Sequence, residues 1–347
     1  MSCVEDQRTR WERNRSISIR ELLTSERHYC AQLQLIVTYF VEILKAKGTL
    51  KQDVRENIFS SLPHILSVNQ SLLLHMENSS FSRGFQLFSS HLHLYVTYVD
   101  NIYSAYRVLA LQLKNNKAFR HFKKLQESRA EFKGHMLEDL LPLPVQRMEQ
   151  YERLLQAVSA NTSPLSPEFE QLTEAVSAVG VVSLRALKNR RHHENHMQLC
   201  RVQKLLKNRR SRVVRAGRWF LKEGSLLVVP IKGSETKLRM FFLFSDVLLQ
   251  TKRCSRFHLT QADKFSAEHV FPLLHCQVDK VLGHTRSQGG LLSLTFPKAK
   301  LLLMSNDQES LNDWYQSLTS ATRKLQSQPT LIIHKEEQRP VMNTEQQ

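Results

Sequence analysis

Apolar residues recur every three or four positions from Ser16 to about Leu206, whereas after Arg218 they fall into short runs separated by turn residues. The first spacing is that of packed helices and the second that of strands. Ile19, Leu22, Tyr29, Leu33, Ile36, Phe40 and Leu44 form one stripe, which Gly48 is placed to terminate. Further helical runs are predicted over residues 53–76, 84–113, 116–126, 137–160 and 167–206, with loops at 78–80 and 162–167. Strand runs occupy 219–230, 238–252, 269–283, 289–296 and 299–307, and a last helix is predicted over 307–325, where Leu311, Trp314, Tyr315 and Leu318 lie three or four apart. The remainder is polar, contains Pro329 and Pro340, and reads as a disordered tail over 326–347. The expected fold class is multidomain α and β, an elongated all-α helical bundle followed by a β-rich domain with a C-terminal helix.

One run, Leu140 to Thr162, carries the sharpest pattern. With Val145 at zero and about 100° per residue, Met148, Tyr151, Leu154, Leu155 and Val158 share an apolar sector. Gln146, Glu149, Gln150 and Arg153 occupy the opposite face, so a buried helix is expected to show hydrogen-bonding groups to its surroundings. Pro142 and Pro144 suit the residues before a helix and its first turn, where no amide donor is lost.

Charge adds a question of partners. The 49 Lys and Arg against 32 Asp and Glu leave a net +17, and between Arg185 and Arg218 there are 12 basic residues and one acid, Glu194. Such a stretch can attract phosphates of lipid or nucleic acid, or be a solvated helix face. The cysteines, Cys3, Cys30, Cys200, Cys254 and Cys276, show neither C-x-x-C nor zinc-ligand spacing, so a reducing compartment and no metal site are expected. The charged N-terminus lacks an apolar signal core, and no run approaches the roughly 20 apolar residues that cross a bilayer, from which a cytoplasmic protein is expected.

The Leu140–Thr162 run resembles the third signature region of the Dbl-homology domain of Rho-type guanine nucleotide exchange factors. Pro144, Val145, Gln146, Arg147, Tyr151, Leu154 and Leu155 fit its pattern, while Leu143 and Gln150 stand where basic residues are usual. Near the start, Glu21, Leu22, Glu26, Tyr29 and Leu33 match the first signature region of the same domain. Glu21 lies about 100° from Leu22, at the edge of the apolar stripe, whereas Glu26 lies within it. The resemblance implies that Glu21 accepts hydrogen bonds from the first switch segment of a GTPase, a charge-assisted contact. It implies equally that Gln146, Gln150 and Arg153 meet the switches, together with the last long helix. There the usual contact asparagine falls on Leu187, and the nearest asparagine, Asn189, is two residues or about 200° away. Exchange breaks no covalent bond, so no nucleophile, acid–base pair or cofactor is expected, and reduced or narrowly selective exchange follows from Gln150 and Leu187.

The later strand runs with a terminal tryptophan-bearing helix, and Phe241 to Leu249 with Ser245-Asp246 between two strands, resemble a pleckstrin-homology domain. The expected limits are 16–206 for the exchange domain, 207–217 for a basic junction and 218–325 for the second domain. Lys222, Lys232, Lys237 and Arg239 flank the first strand turn, where such domains gather basic residues, and imply weak attraction to anionic membrane with peripheral association at the plasma membrane. Two rival readings stand beside exchange on a Rho-family GTPase, which in this family feeds actin and cell-migration signalling. One is a non-catalytic scaffold that binds a GTPase or membrane through the same folds. The other, nucleic-acid binding through 185–218, is disfavoured because aromatic residues do not interleave with the basic ones.

Overall fold

The computed structural model describes residues 2–207, 212–230, 235–254, 264–281 and 290–327, with side chains from residue 9 onward. The chain divides into two compact units, Met1–His193 and Glu194–Gln347.

The first unit is all helical. Helix α1 (Ser2–Ile36) passes through a π-helical turn (Val37–Glu42) into α2 (Ile43–Lys47), and Gly48 closes the run in the left-handed conformation at φ 62°. The predicted stripe is the buried one: Leu22, Leu33, Ile36, Phe40 and Leu44 are fully enclosed. Next come α3 (Gln52–Phe59), α4 (Leu62–Glu77), α5 (Phe81–Ser89), α6 (Leu92–Asn115), α7 (Lys117–Glu127), the single turn α8 (Leu137–Leu140), α9 (Leu143–Ala160) and α10 (Pro167–Leu205). Three of the expected continuous helices are therefore each two. Ser60 at φ 49° and Pro63 in the first turn of α4 divide 53–76. Three-residue turns at Ser90 and His91 divide 84–113, and Pro142, which has no N–H to donate, divides 137–160.

A single apolar core runs through this unit. Phe40 packs edge-on against Phe122 and Phe132, and Phe85 and Phe88 pack edge-on against Tyr151. These T-shaped contacts add ~0.5–1.5 kcal/mol each beyond burial of area.

In the second unit, β1 (Phe220–Val229), β2 (Lys237–Phe244), β3 (Val247–Arg253), β4 (Phe265–Pro272), β5 (Gln277–Val281), β6 (Gly290–Phe296) and β7 (Ala299–Ser305) precede α11 (Gln308–Ser327). The strands pair antiparallel in the order β4-β3-β2-β1-β7-β6-β5. Alternate residues of β2 serve two cores, as the period of a strand requires. Phe241 and Leu243 join Leu292, Leu303 and Trp314 of α11, while Phe242 and Phe244 join Leu199, Val202 and Leu206 at the end of α10. Gly224 on β1 lets the Trp314 ring approach, since a Cβ there would lie 3.3 Å from it. Helix α11 continues two residues beyond the expected end at 325, and the rest of the expected tail lies outside the described residues.

Candidate functional site

The polar face read from the sequence of α9 is exposed as predicted: Gln146, Glu149, Gln150 and Arg153 are all open to solvent, while Met148, Tyr151, Leu154, Leu155 and Val158 are buried. Beside that face runs the outer side of α1, where Ile17, Arg20, Glu21, Thr24, Ser25 and His28 line a shallow open groove. The two helices meet through their polar residues. Arg153 Nη2 donates to Glu21 Oε1 at 3.3 Å, with both side chains more than half exposed. Gln150 Oε1 accepts from Arg147 Nη1 at 2.9 Å, and the same nitrogen donates to Ser25 Oγ at 3.1 Å.

On its other side α9 faces α10. A second shallow depression is lined by Glu149, Glu152, Ser183, Leu184, Leu187 and Arg190, and Arg190 Nη1 donates to Glu149 Oε1 at 3.2 Å. Leu187 is half-buried there and Leu184 is exposed, so α10 offers apolar rather than amide contacts to whatever meets this surface. The structure thus brings Glu21, Gln150 and Arg153 together, sets Gln146 on the same exposed face, and places Leu187 at its α10 edge. Asn189 is not with them. Its Nδ2 donates to Asp100 Oδ1 at 2.9 Å on α6, the direction that its roughly 200° offset from Leu187 requires.

Beneath the face lies a buried polar cluster whose Glu26 and Arg147 were not singled out as site residues. Arg147, 2 % exposed, donates through Nη2 to Glu26 Oε2 at 2.7 Å, and Glu26 is fully enclosed. The Tyr151 hydroxyl donates to the same oxygen at 2.5 Å and lies 2.7 Å from Asn69 Oδ1, while Asn69 Nδ2 donates to the Tyr95 hydroxyl at 2.7 Å. The guanidinium also sits over the ring of Tyr151, 4.4 Å from its centre. Burial, with the Glu26 carboxylate beside it, raises the Tyr151 pKa well above the usual phenol value, so Tyr151 stays a neutral donor. The signal was present in the sequence: on the α9 wheel Arg147 falls at about 200°, inside the apolar sector, and Glu26 lies within the α1 stripe.

The basic residues assigned to the second domain do not form an open cluster. Lys222 Nζ donates to Asp313 Oδ2 at 2.7 Å, and Arg239 Nε to Glu268 Oε2 at 2.6 Å. Lys237 is exposed, and Lys232 lies outside the described residues. Much of the basic 185–218 stretch is likewise paired: Arg185 with Asp100, Arg190 with Glu149, Arg201 with Glu223 and Arg218 with Asp246. Among the described residues no helix is long and apolar enough to cross a membrane.

Comparison with known proteins places this geometry. The RhoGEF domain family matches residues 18–185. The cattle (Bos taurus) protein Rho guanine nucleotide exchange factor 39 is 47 % identical over 319 residues, covering 92 % of this chain and 95 % of that one. Among solved structures, Vav1 bound to an allosteric inhibitor superposes with a TM-score of 0.68 at 21 % identity over 93 % of this chain and 84 % of that one. The PDZ-RhoGEF DH/PH domains, solved in complex with activated RhoA, give 0.64 at 18 % identity over 90 % and 95 %. At those identities the structures speak to fold, and both carry the helical domain and the pleckstrin-homology fold seen here.

Proposed function

This chain belongs to the family of Rho guanine nucleotide exchange factors and catalyses nucleotide exchange on Rho-family GTPases, and from that premise we propose that the contiguous faces of α1, α9 and α10 grip the switch segments and expel GDP. The observation that carries this reading is the state of Glu21. Its partner Arg153 is exposed and 3.3 Å away, a surface pair that contributes about 0–1 kcal/mol. A charge-assisted hydrogen bond to an incoming partner contributes about 1.5–3 kcal/mol, so the carboxylate is free to change partners. Arg153 then stands beside it as a donor, and Gln150 and Gln146 offer neutral amides along the same face.

No covalent step is needed for such catalysis. An exchanger that binds the nucleotide-free GTPase better than the loaded one weakens the nucleotide by the same factor, and GTP refills the emptied site. Leu187 supplies apolar contact where an amide is usual, and Gln150 cannot pair with a switch carboxylate as a charge. Both point to a narrow choice of GTPase. In this reading residues 16–206 are the exchange domain, 207–217 the junction, 218–325 the pleckstrin-homology domain and 326–347 a tail, and the protein works in the cytoplasm with peripheral association at the plasma membrane.

Release of a fluorescent GDP analogue from purified Rho, Rac and Cdc-type GTPases tests it. Glu21→Ala is expected to lower the exchange rate by roughly 10- to 100-fold, the equivalent of one charge-assisted contact. Unchanged exchange by a folded Glu21→Ala protein would remove Glu21 from the site.

A further inference from the structure

The cations of the second unit that suggested membrane attraction are largely paired, yet the helical unit holds a group that is not. Two segments without a single acid, 45–51 and 114–124, end and begin helices at the same place. Asn116 joins them: its Nδ2 donates to Thr49 O at 3.3 Å, and its Oδ1 accepts from Phe119 N at 3.0 Å as the cap of α7. That contact sets Lys47 and Lys51, on either side of the Gly48 turn, next to Lys114 and Lys117, on either side of the α6–α7 turn. Lys124 continues the row along the outer face of α7, and all five lysines are exposed with no ion pair among the described residues. The cations are not tied up in capping the preceding helix either. Arg120 takes that role, donating to the carbonyls of Leu113 and Lys114 at 2.8 and 2.9 Å. Nearest in sequence among the acids is Asp53, which opens α3, while Glu127 and Glu138 are held by the buried Lys123.

We propose that this end of the helical unit is a docking surface for a bilayer rich in anionic phospholipid. Charge complementarity is the first argument, since closely set lysines act together near an anionic surface. The apolar residues are the second. Leu125 and Leu111 are each 53 % exposed beside the lysines, fit to enter the headgroup region, whereas Phe119 and Phe122 are buried and leave no aromatic platform on which nucleic-acid bases could stack. Lys47 lies along the same helical run as Glu21, roughly 40 Å away at 1.5 Å per residue, so a bilayer held here leaves the exchange face open.

Sedimentation of the full chain with phosphatidylcholine vesicles, with and without phosphatidylserine, tests the surface independently of exchange. The wild-type chain should sediment only with the phosphatidylserine vesicles, and added salt should release it. Substituting Lys47→Gln, Lys51→Gln, Lys114→Gln and Lys117→Gln together should lower the vesicle partition at least ~10-fold, with GDP release from a soluble GTPase unchanged. If that fourfold variant folds poorly, the two pairs made separately should each give an intermediate loss. Wild-type partition by the folded fourfold variant, or loss on Lys237→Gln instead, would overturn the proposal. So would tighter binding to single-stranded RNA than to vesicles, abolished by the same substitutions.

Discussion

Glu26 and Arg147 lie 121 residues apart in sequence and depend on each other for their burial. A buried pair of this kind adds little net stability compared with apolar residues, but removing one member strands the other as an unpaired charge, at about 3–5 kcal/mol. Glu26→Gln is therefore expected to destabilise the helical unit by about that amount in chemical denaturation. Adding Arg147→Met should recover a large part of the loss, because the stranded charge is gone. If the two substitutions were merely additive, the pair would not be coupled as its geometry indicates. The same guanidinium reaches Gln150 and Ser25, so the cluster also fixes how α9 and α1 present their outer residues.

Among the helices, Gly48 offers a clean test, because a Cβ at that position meets nothing within 4 Å and only the backbone conformation is at issue. Gly48→Ala should cost ~1 kcal/mol, the penalty of an L-residue in the left-handed region, and Gly48→Asn less. A neutral Gly48→Ala in urea unfolding would mean that the turn is not held at positive φ. This stop was legible from the sequence, as were the stripe of α1, the two faces of α9 and the succession of strands before α11, because each is written in local periodicity. The divisions at Ser60 and at Ser90–His91 were not, since no glycine marks them, and the division at 141–142 fell where Pro142 was taken for a helix start. The partners of Lys222, Arg239 and Asn189 were also hidden. Asp313, Glu268 and Asp100 lie 91, 29 and 89 residues away from them, and no local pattern reports such pairings. Of the candidate site, the exposed face of α9 could be read directly, while the supporting pair beneath it needed the fold.

For the molecule as a whole, acid is the revealing stress. Hydrogen bonds from Arg185 hold Asp100 in the first unit below the ordinary carboxylate value. In the second unit partial burial works against the charge on Glu268, but Arg239 and Gln250 outweigh it and lower its pKa as well. A lowered carboxylate pKa stabilises the folded state above the unfolded value near ~4, and that stability is lost as pH falls through the folded value. Both units should hold their stability from neutral pH down to about 5 and lose it progressively below about 4. Arg185→Ala should bring the Asp100 titration, followed by NMR, back toward the ordinary value. The π-helical turn at Val37–Glu42 has a different bearing on the chain, as an object that changes length over generations. Ile36, Phe40 and Leu44 follow one another at intervals of four, a spacing that would drift by about 80° over two steps of a regular α-helix. A wider turn absorbs the drift, so all three stay in the core. One extra residue is stored at that point like slack in a thread, and a lineage that lost it would have to rotate Leu44 and the lysines beyond it out of phase with Glu21.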